Sequence, residues 1–400
     1  MDNIYIRIGA ALLIALALSL AATPLVKRFA QRVGAIDVPK DARRIHKHPI
    51  PRLGGLAIFI GFLLSVVLFA NITEQIQGIL LGAVVIVIVG VIDDIVPLPA
   101  LLKFFIQIAA ALIAVFHGVV IDIFSNPNIF SLEPYLDLGF FAYPITVLWI
   151  VLITNSVNLI DGLDGLAVGV STISSVVMLV IALLVPYPDA NVAIIMAALA
   201  GACIGFMPYN FNPAKIFMGD TGALLLGYVL ATVSVIGLFK FYTAVSFAVP
   251  FLVLALPLFD TSLAFLRRLL KGKNPMSPDR GHFHHRLIDM GLSQKQAVAV
   301  LYAISGLLAI SAVVVTTSGE IRAIILIVAV LVAAAIVYFA YRGKHPKIEP
   351  EADAEAVPEE GAEENMDPLM QGAETAEVPR DDEKDSESEQ KKEREKDVAR

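Results

Sequence analysis

The chain carries one cysteine, Cys203, in 400 residues, so no internal disulfide can form. Its place inside the apolar run 193–206 reads as a small buried hydrophobe. No P-loop and no dinucleotide-binding glycine fingerprint occurs, which leaves nucleotide binding by those two routes unsupported. The start of the chain has Asp2 and no basic segment ahead of its first apolar run, 4–26, with Lys and Arg clustering after that run instead. A secretory leader has the opposite pattern, so a retained span is expected there. Lys and Arg are also missing from the connections 71–75, 118–140 and 186–190.

Apolar surface, by contrast, is abundant. Hydrophobic residues make up 57% of the chain and the mean hydropathy is +0.75. Repeated apolar runs near 20 residues mark an all-α, polytopic membrane protein. Eleven candidate spans lie near 4–26, 53–70, 76–93, 101–117, 141–156, 166–185, 191–208, 221–239, 243–265, 297–316 and 321–341. Several of these runs abut closely, which leaves ten as the alternative count. The net charge of −7 averages two bodies. Residues 349–400 hold 20 acidic and 7 basic side chains, a balance of −13, so the remainder carries +6. Two regions are therefore expected: a transmembrane domain at 1–345 and a disordered, acidic, solvated tail at 346–400.

Basic residues give an expected orientation. They crowd the segment after the first run (Lys27, Arg28, Arg32, Lys40, Arg43, Arg44, Lys47, Arg52) and the segment after the ninth (Arg267, Arg268, Lys271, Lys273, Arg280, Arg286, Lys295). The positive-inside rule makes both segments cytoplasmic, with the N-terminus outside and the acidic tail inside. Parity of crossing then places the loops near 94–100, 157–165, 209–220 and 266–296 on that same face, and these loops hold nearly every unusual polar cluster. On the opposite face, Asn71-Ile72-Thr73 fits a glycosylation acceptor that arises often by chance, and the 118–140 connection is expected to form a small hairpin.

The densest cluster is Asn155–Ala167, NSVNLIDGLDGLA, where Asn155, Asn158, Asp161 and Asp164 fall three residues apart. On a helix such spacing keeps each polar group near the next, and Gly162 and Gly165 let a ligand or another backbone come close. Four polar side chains at the end of a span point to a binding function rather than to helix packing. Asp93-Asp94 closes the third run before Pro97 and Pro99. Adjacent carboxylates repel unless a cation stands between them, and oxygen-rich sites of this kind suit Mg²⁺ together with substrate phosphates. Lys103 follows as a phosphate partner. Asp220, in KIFMGDTGALLLG, opens the eighth run; a helix cap is the ordinary role of such an acid. Phe217 beside it can stack on a flat base or simply anchor at the interface. The loop PMSPDRGHFHHRL brings His282, His284, His285 and Arg280 together. Histidines so spaced, without cysteine or a distal ligand, make a weak zinc site and suit a pyrophosphate better.

Taken together, Asp93-Asp94, the run at 155–167, FMGDTG at 217–222, the histidine loop at 282–285 and Pro51-Arg52-Leu53-Gly54-Gly55 resemble the polyprenyl-phosphate N-acetylhexosamine-1-phosphate transferases over roughly residues 1–345. PDRGHFHHRL is similar to the branch that uses UDP-N-acetylglucosamine and starts teichoic acid and other surface polysaccharides. The muramoyl-pentapeptide branch shows three consecutive histidines, which Phe283 interrupts here. The resemblance implies a bacterial plasma-membrane enzyme whose active site lies on the cytoplasmic face. There, undecaprenyl phosphate attacks the β-phosphorus of UDP-N-acetylglucosamine, giving a lipid-linked pyrophosphoryl sugar and UMP. Mg²⁺ is the implied cofactor, with Mn²⁺ as a substitute; nucleic acid is not a partner, and a homodimer is left open. The implied metal ligands are Asp220 and Asp94 (or Asp93 in its place), the other aspartate of that pair touching the lipid phosphate. Asn155, Asn158, Asp161 and Asp164 would surround the uridine and pyrophosphate, with one of Asn158, Asp161 and Asp164 left open as a further metal ligand. Lys103 would hold a phosphate; Arg280, His282, His284 and His285 would hold the pyrophosphate or the sugar. A covalent aspartyl-phosphate route through Asp161 or Asp164 stays open beside direct displacement.

The competing class is a secondary transporter, which gathers ionisable groups near the bilayer midplane. Here the acids collect at the ends of runs whose middles are almost uncharged. A membrane scaffold acting through the tail would leave the loop motifs unexplained.

Overall fold

Long apolar runs with few helix breakers fold as helices, because lipid leaves no water to satisfy an open backbone. The computed structural model describes residues 4–39, 48–125, 135–184, 189–237, 244–270 and 282–318, all within one compact unit, Met1–Tyr341. Its helices are α1 (Ile4–Val33), α2 (Gly54–Phe69), α3 (Glu74–Ile95), α4 (Ala100–Phe116), α5 (Ala142–Ile160), α6 (Leu166–Leu184), α7 (Ala190–Asn210), α8 (Gly219–Gly237), α9 (Ala244–Val253), α10 (Ala255–Leu270), α11 (Phe283–Asp289) and α12 (Gln294–Ser318). Among the described residues seven helical segments are long and apolar enough to cross a membrane, and α2 and α4 are shorter apolar helices. The protein is thus all-α and polytopic, as expected. The first ten expected spans each find helical counterparts; the eleventh, 321–341, and the acidic tail lie outside the described residues.

Two local expectations change. The ninth run is not one helix but two, α9 and α10, interrupted at Leu254, with Pro250 inside α9 and Pro257 early in α10. Nor is the interior of that run uncharged, since Asp260 sits in α10 with 4% exposure. The 155–167 run is also not one helix. Asn155 and Asn158 belong to α5, while Asp161, at φ −77° and ψ 52°, ends it, and Gly165, at φ 81°, turns the chain into α6. Glycine is the residue that takes such a left-handed conformation without strain.

The hydrophobic core centres on α8, which is apolar all round and buried on every side from Thr221 to Gly237, as a helix enclosed by others must be. It packs against α2, α3, α5, α6 and α7. α1 lies along α7 so closely that a Cβ on Gly201 or Gly205 would come within 2.1 or 2.3 Å of the Leu12 or Leu16 carbonyl oxygen. At one end of the bundle the expected hairpin forms from β3 (Ile123–Ser125) and β4 (Tyr135–Asp137), paired antiparallel. At the other end β1 (Ile36–Asp37) pairs with β2 (Ile50–Pro51), and there the loops rich in acids gather.

Candidate active site

The segment that leads into α2 lies beside the segment that leads into α8. Phe217 N donates to the Pro51 carbonyl at 2.8 Å, Gly54 N to that of Phe217 at 2.9 Å, and Gly55 N to that of Met218 at 2.8 Å. This pairing needs glycine, since a Cβ on Gly55 would sit 2.0 Å from Gly222 N. The contact carries Arg52 to Asp94 at the end of α3. Asp94 accepts from Arg52 Nε at 3.0 Å and Nη2 at 2.9 Å, Asp220 N at 3.0 Å, Thr221 N at 3.1 Å and Thr221 Oγ1 at 2.6 Å. Its side chain is wholly buried. Asp94 therefore caps the N-terminus of α8 from another helix, using both oxygens.

Asp93, one residue earlier, accepts from Leu98 N at 2.7 Å where Pro97 and Pro99 halt α3. Lys103 Nζ bridges Asp93 Oδ2 at 2.9 Å and Asp220 Oδ2 at 2.8 Å, and Asn158 Nδ2 reaches Asp220 Oδ1 at 3.2 Å. Asn155 points elsewhere: it donates to the Val151 carbonyl and pairs with Gln107 of α4.

The turn after α5 is pinned from three sides. Asn210 Oδ1 accepts from Gly165 N at 3.1 Å, and Tyr302 of α12 donates to the Gly165 carbonyl at 2.6 Å. Asp164 Oδ2 accepts from Asn212 Nδ2 at 2.9 Å and Ala214 N at 3.0 Å, while the same Asn212 amide reaches Gln294 Oε1 at 2.6 Å. Asp161 opens partly onto the cavity yet stands deep in the fold. Burial, then the charges of Asp220, Asp94 and Asp164 against the pull of Arg52, push its carboxyl up to about 8.

The histidine loop closes another side. Asp260 accepts from His282 Nδ1 at 2.9 Å and Phe283 N at 2.8 Å. His284, with 3% exposure, is pushed down to about 4 by burial and by its neighbours His285 and His282, with Asp260 opposing. Only His285 of the three histidines lines the cavity. That cavity, about 780 Å³, has Asp37, Asp161, Asp164 and Asp220 among its walls, together with Lys27, Arg52, Lys215, Phe217 and His285. Asp93, Asp94 and Lys103 stand just behind, linked to it through Asp220 and Arg52. Arg280 lies outside the described residues.

Of the clusters that parity of crossing assigns to one face, Asp161, Asp164, Asp220 and His285 line one cavity, with Asp93 and Asp94 behind it. Four contributors went unmarked as site residues in the sequence: Arg52, Asn212, Asp260 and Gln294. Two of them had a visible signal, Arg52 in the Pro51–Gly55 motif and Asp260 as a single acid in an apolar run. Asn212 and Gln294 matter through each other, and nothing local in either segment announces that contact.

The sequence matches the pattern of glycosyl transferase family 4 over residues 76–238. It is 43% identical over 321 residues to a probable undecaprenyl-phosphate N-acetylglucosaminyl 1-phosphate transferase of Bacillus subtilis, covering 80% of this chain and 87% of that one. A decaprenyl-phosphate N-acetylglucosaminephosphotransferase of Mycolicibacterium smegmatis is 35% identical over 73% of this chain and 78% of its own. A phospho-N-acetylmuramoyl-pentapeptide-transferase of Heliobacterium modesticaldum is 37% identical over a shorter stretch, 50% of this chain and 63% of its own. The breadth of the first two matches places the chain in a family, not merely in a fold: it belongs to glycosyl transferase family 4, among the polyprenyl-phosphate N-acetylhexosamine-1-phosphate transferases.

Proposed function

We propose that the protein transfers N-acetylglucosamine-1-phosphate from UDP-N-acetylglucosamine to undecaprenyl phosphate. A phosphate oxygen of the lipid forms a bond to the β-phosphorus, the bond from that phosphorus to the bridging oxygen breaks, and UMP leaves. The product, undecaprenyl-pyrophosphoryl-N-acetylglucosamine, is a start point for a wall polymer such as teichoic acid. One observation carries the reading: a cavity at the ends of membrane helices, walled by acids, with an aromatic ring and a histidine facing them. A lipid held in the bilayer and a soluble nucleotide can meet only at such a boundary. By the distribution of Lys and Arg this is the cytoplasmic face.

Both substrates are anionic, and the cavity's own carboxylates add to the problem. Asp37, Asp161, Asp164 and Asp220 line it with Lys27, Arg52 and Lys215, and Asp93, Asp94 and Lys103 stand just behind. Among the described residues no three acidic, histidine or cysteine side chains converge as a complete metal site. A donor set of a few carboxylates, with room left for water and phosphate oxygens, fits Mg²⁺, or Mn²⁺ in its place. Asp220 and Asp161 would hold it, because both line the cavity, whereas Asp94 stands behind the wall with a fully buried side chain. When bound, the ion supplies charge neutralisation for the approach of two phosphates. The chain's own groups orient and neutralise. Lys103 holds Asp220 and Asp93 together, Asn158 fixes the other Asp220 oxygen, Phe217 offers its ring to the uracil base, and His285 meets the pyrophosphate. A phosphate monoester has its second pKa near 6, so the lipid nucleophile is largely ionised at neutral pH and a strong general base is not required.

The decisive assay is UMP release from UDP-N-acetylglucosamine by purified protein, expected only with both undecaprenyl phosphate and Mg²⁺. UMP formed without the lipid, together with a trapped acyl-phosphate, would replace direct displacement by the covalent route. A preference for UDP-N-acetylmuramoyl-pentapeptide would move the protein to the other branch. Orientation can be read by single-cysteine labelling, since buried Cys203 is a silent background. A cysteine at Asn212 should react only from the cytoplasmic side, and one at Asn71 only from outside.

A further inference from the structure

We propose that Asp260 is the positioning residue for the histidine side of the cavity, holding His282 and α11 so that His284 rests on Gly162 and His285 reaches the cavity wall. In its activity arm this rests on the reading above.

α11 has seven residues, too few to hold a helix by local hydrogen bonds alone. Its N-cap, His282, makes no side-chain capping bond. The missing acceptor comes from α10: one oxygen of Asp260 takes Phe283 N and the other takes His282 Nδ1. With Nδ1–H committed to a carboxylate, the His282 ring is fixed in orientation and tautomer, as in carboxylate–histidine pairs that orient metal ligands. The fixed ring then sets its neighbours. His282 and His284 lie 9° from parallel with centroids 5.7 Å apart, and His284 meets His285 at 4.3 Å. The three rings form a column from a buried acid to the open cavity. At its middle, His284 Nε2 stands 2.4 Å from where a Cβ on Gly162 would be, so the column abuts the turn that carries Asp161 and Asp164. Asp260 touches no substrate in this arrangement. It acts through the histidines, and the cost of burying its charge is offset by the two donors it accepts from.

The test uses full-length wild-type protein, Asp260→Asn, Asp260→Glu, His282→Ala and the Asp260→Asn/His282→Ala double variant. One readout is kcat and KM for UMP release. The other needs no substrate: the rate at which diethyl pyrocarbonate modifies His282 and His284, located by mass spectrometry. Asp260→Asn should cut kcat by tenfold or more, a loss on the order of that from misplacing a catalytic group. It should also speed modification of the two buried histidines severalfold, with a wild-type unfolding temperature. Asp260→Glu should recover part of both, and the double variant should turn over no more slowly than His282→Ala. The proposal is overturned by an Asp260→Asn protein with wild-type turnover and shielding, or by losses that multiply in the double variant. An Asp260→Asn protein that no longer folds overturns it as well, since that would assign Asp260 to the fold instead. Histidines unmasked by Asp260→Asn in a protein whose wild type releases no UMP would sink the proposed reaction and leave this contact standing.

Discussion

Two walls of the cavity are built by opposite means. The wall at the head of α8 is made of backbone: paired segments at 51–55 and 217–218, with a buried Asp94 that accepts from two main-chain amides, a hydroxyl and a guanidinium. The histidine wall is made of side chains, a short helix held by one carboxylate and by rings leaning on one another. The first is over-determined, so removing any one donor leaves others in place. The second is a series in which each contact depends on the one before. A rigid wall suits the groups that must hold charge at fixed distances. A wall assembled in series suits groups that have to admit and release a large nucleotide sugar.

The difference can be broken hardest from the rigid side. Asp94→Ala strips the cap from α8 and leaves Arg52 without its carboxylate. The Arg52 guanidinium stays partly open to the cavity, so the loss falls on the buried cap, at about 1–3 kcal/mol for each buried donor left unpaired. The unfolding midpoint in detergent should fall by several degrees, and UMP release should be lost with it. A variant with unchanged midpoint would show that the five hydrogen bonds to Asp94 carry little of the fold.

The serial wall should respond to acid. His284 titrates near 4 in the fold against an ordinary value near 6.5, so the folded arrangement disfavours its protonation. Stability from this group is fully present above pH 6.5 and is lost as the pH falls toward 4, by about 3 kcal/mol at most. Protection factors of the α11 amides, corrected for the intrinsic pH dependence of exchange, should therefore fall between pH 7.5 and 5, more than those of Asp220 and Thr221. An equal fall in protection at both walls would erase the proposed contrast.

Gly55→Ala tests the backbone wall by volume. The added methyl would fall 2.0 Å from Gly222 N, a main-chain atom that cannot rotate away. Overpacking of this kind costs about 1–3 kcal/mol. The midpoint should drop accordingly, and turnover should fall with it as Arg52 and Phe217 are pushed apart.

Much of this was legible in the sequence because crossing a membrane is a counting operation. Once the spans are counted, parity decides which loops are neighbours, and so Asp93, Asp161, Asp220 and His285 could be grouped before any coordinates. Contacts within the group were another matter. Asp94 caps a helix 126 residues away, Lys103 is shared between two aspartates, and Asn155, equally polar and equally spaced, turns away to Gln107. Which face of a helix a side chain takes depends on packing against distant elements, and periodicity within the segment does not contain it. Asp260 was missed for a related reason: the run 243–265 reads as one apolar span, and only the break at Leu254 brings its acid beside the histidine loop.

The smallest predicted effect is the sharpest test of how the two walls meet. Gly162→Ala places a methyl 2.4 Å from His284 Nε2. Here the obstructing atom is the far end of a ring, not a backbone, so the side chain can swing aside and the fold should survive with little change in midpoint. What the swing cannot preserve is the column, because His284 lies between His282 and His285. Turnover should drop about tenfold, equivalent to about 1.4 kcal/mol in the barrier, while KM for the lipid stays near the wild-type value. A second substitution, His284→Ala in the same chain, removes the obstruction and so should make the Gly162→Ala penalty vanish against its own background. If the penalty persists without the imidazole, the turn itself requires glycine, and the histidine wall does not bear on it.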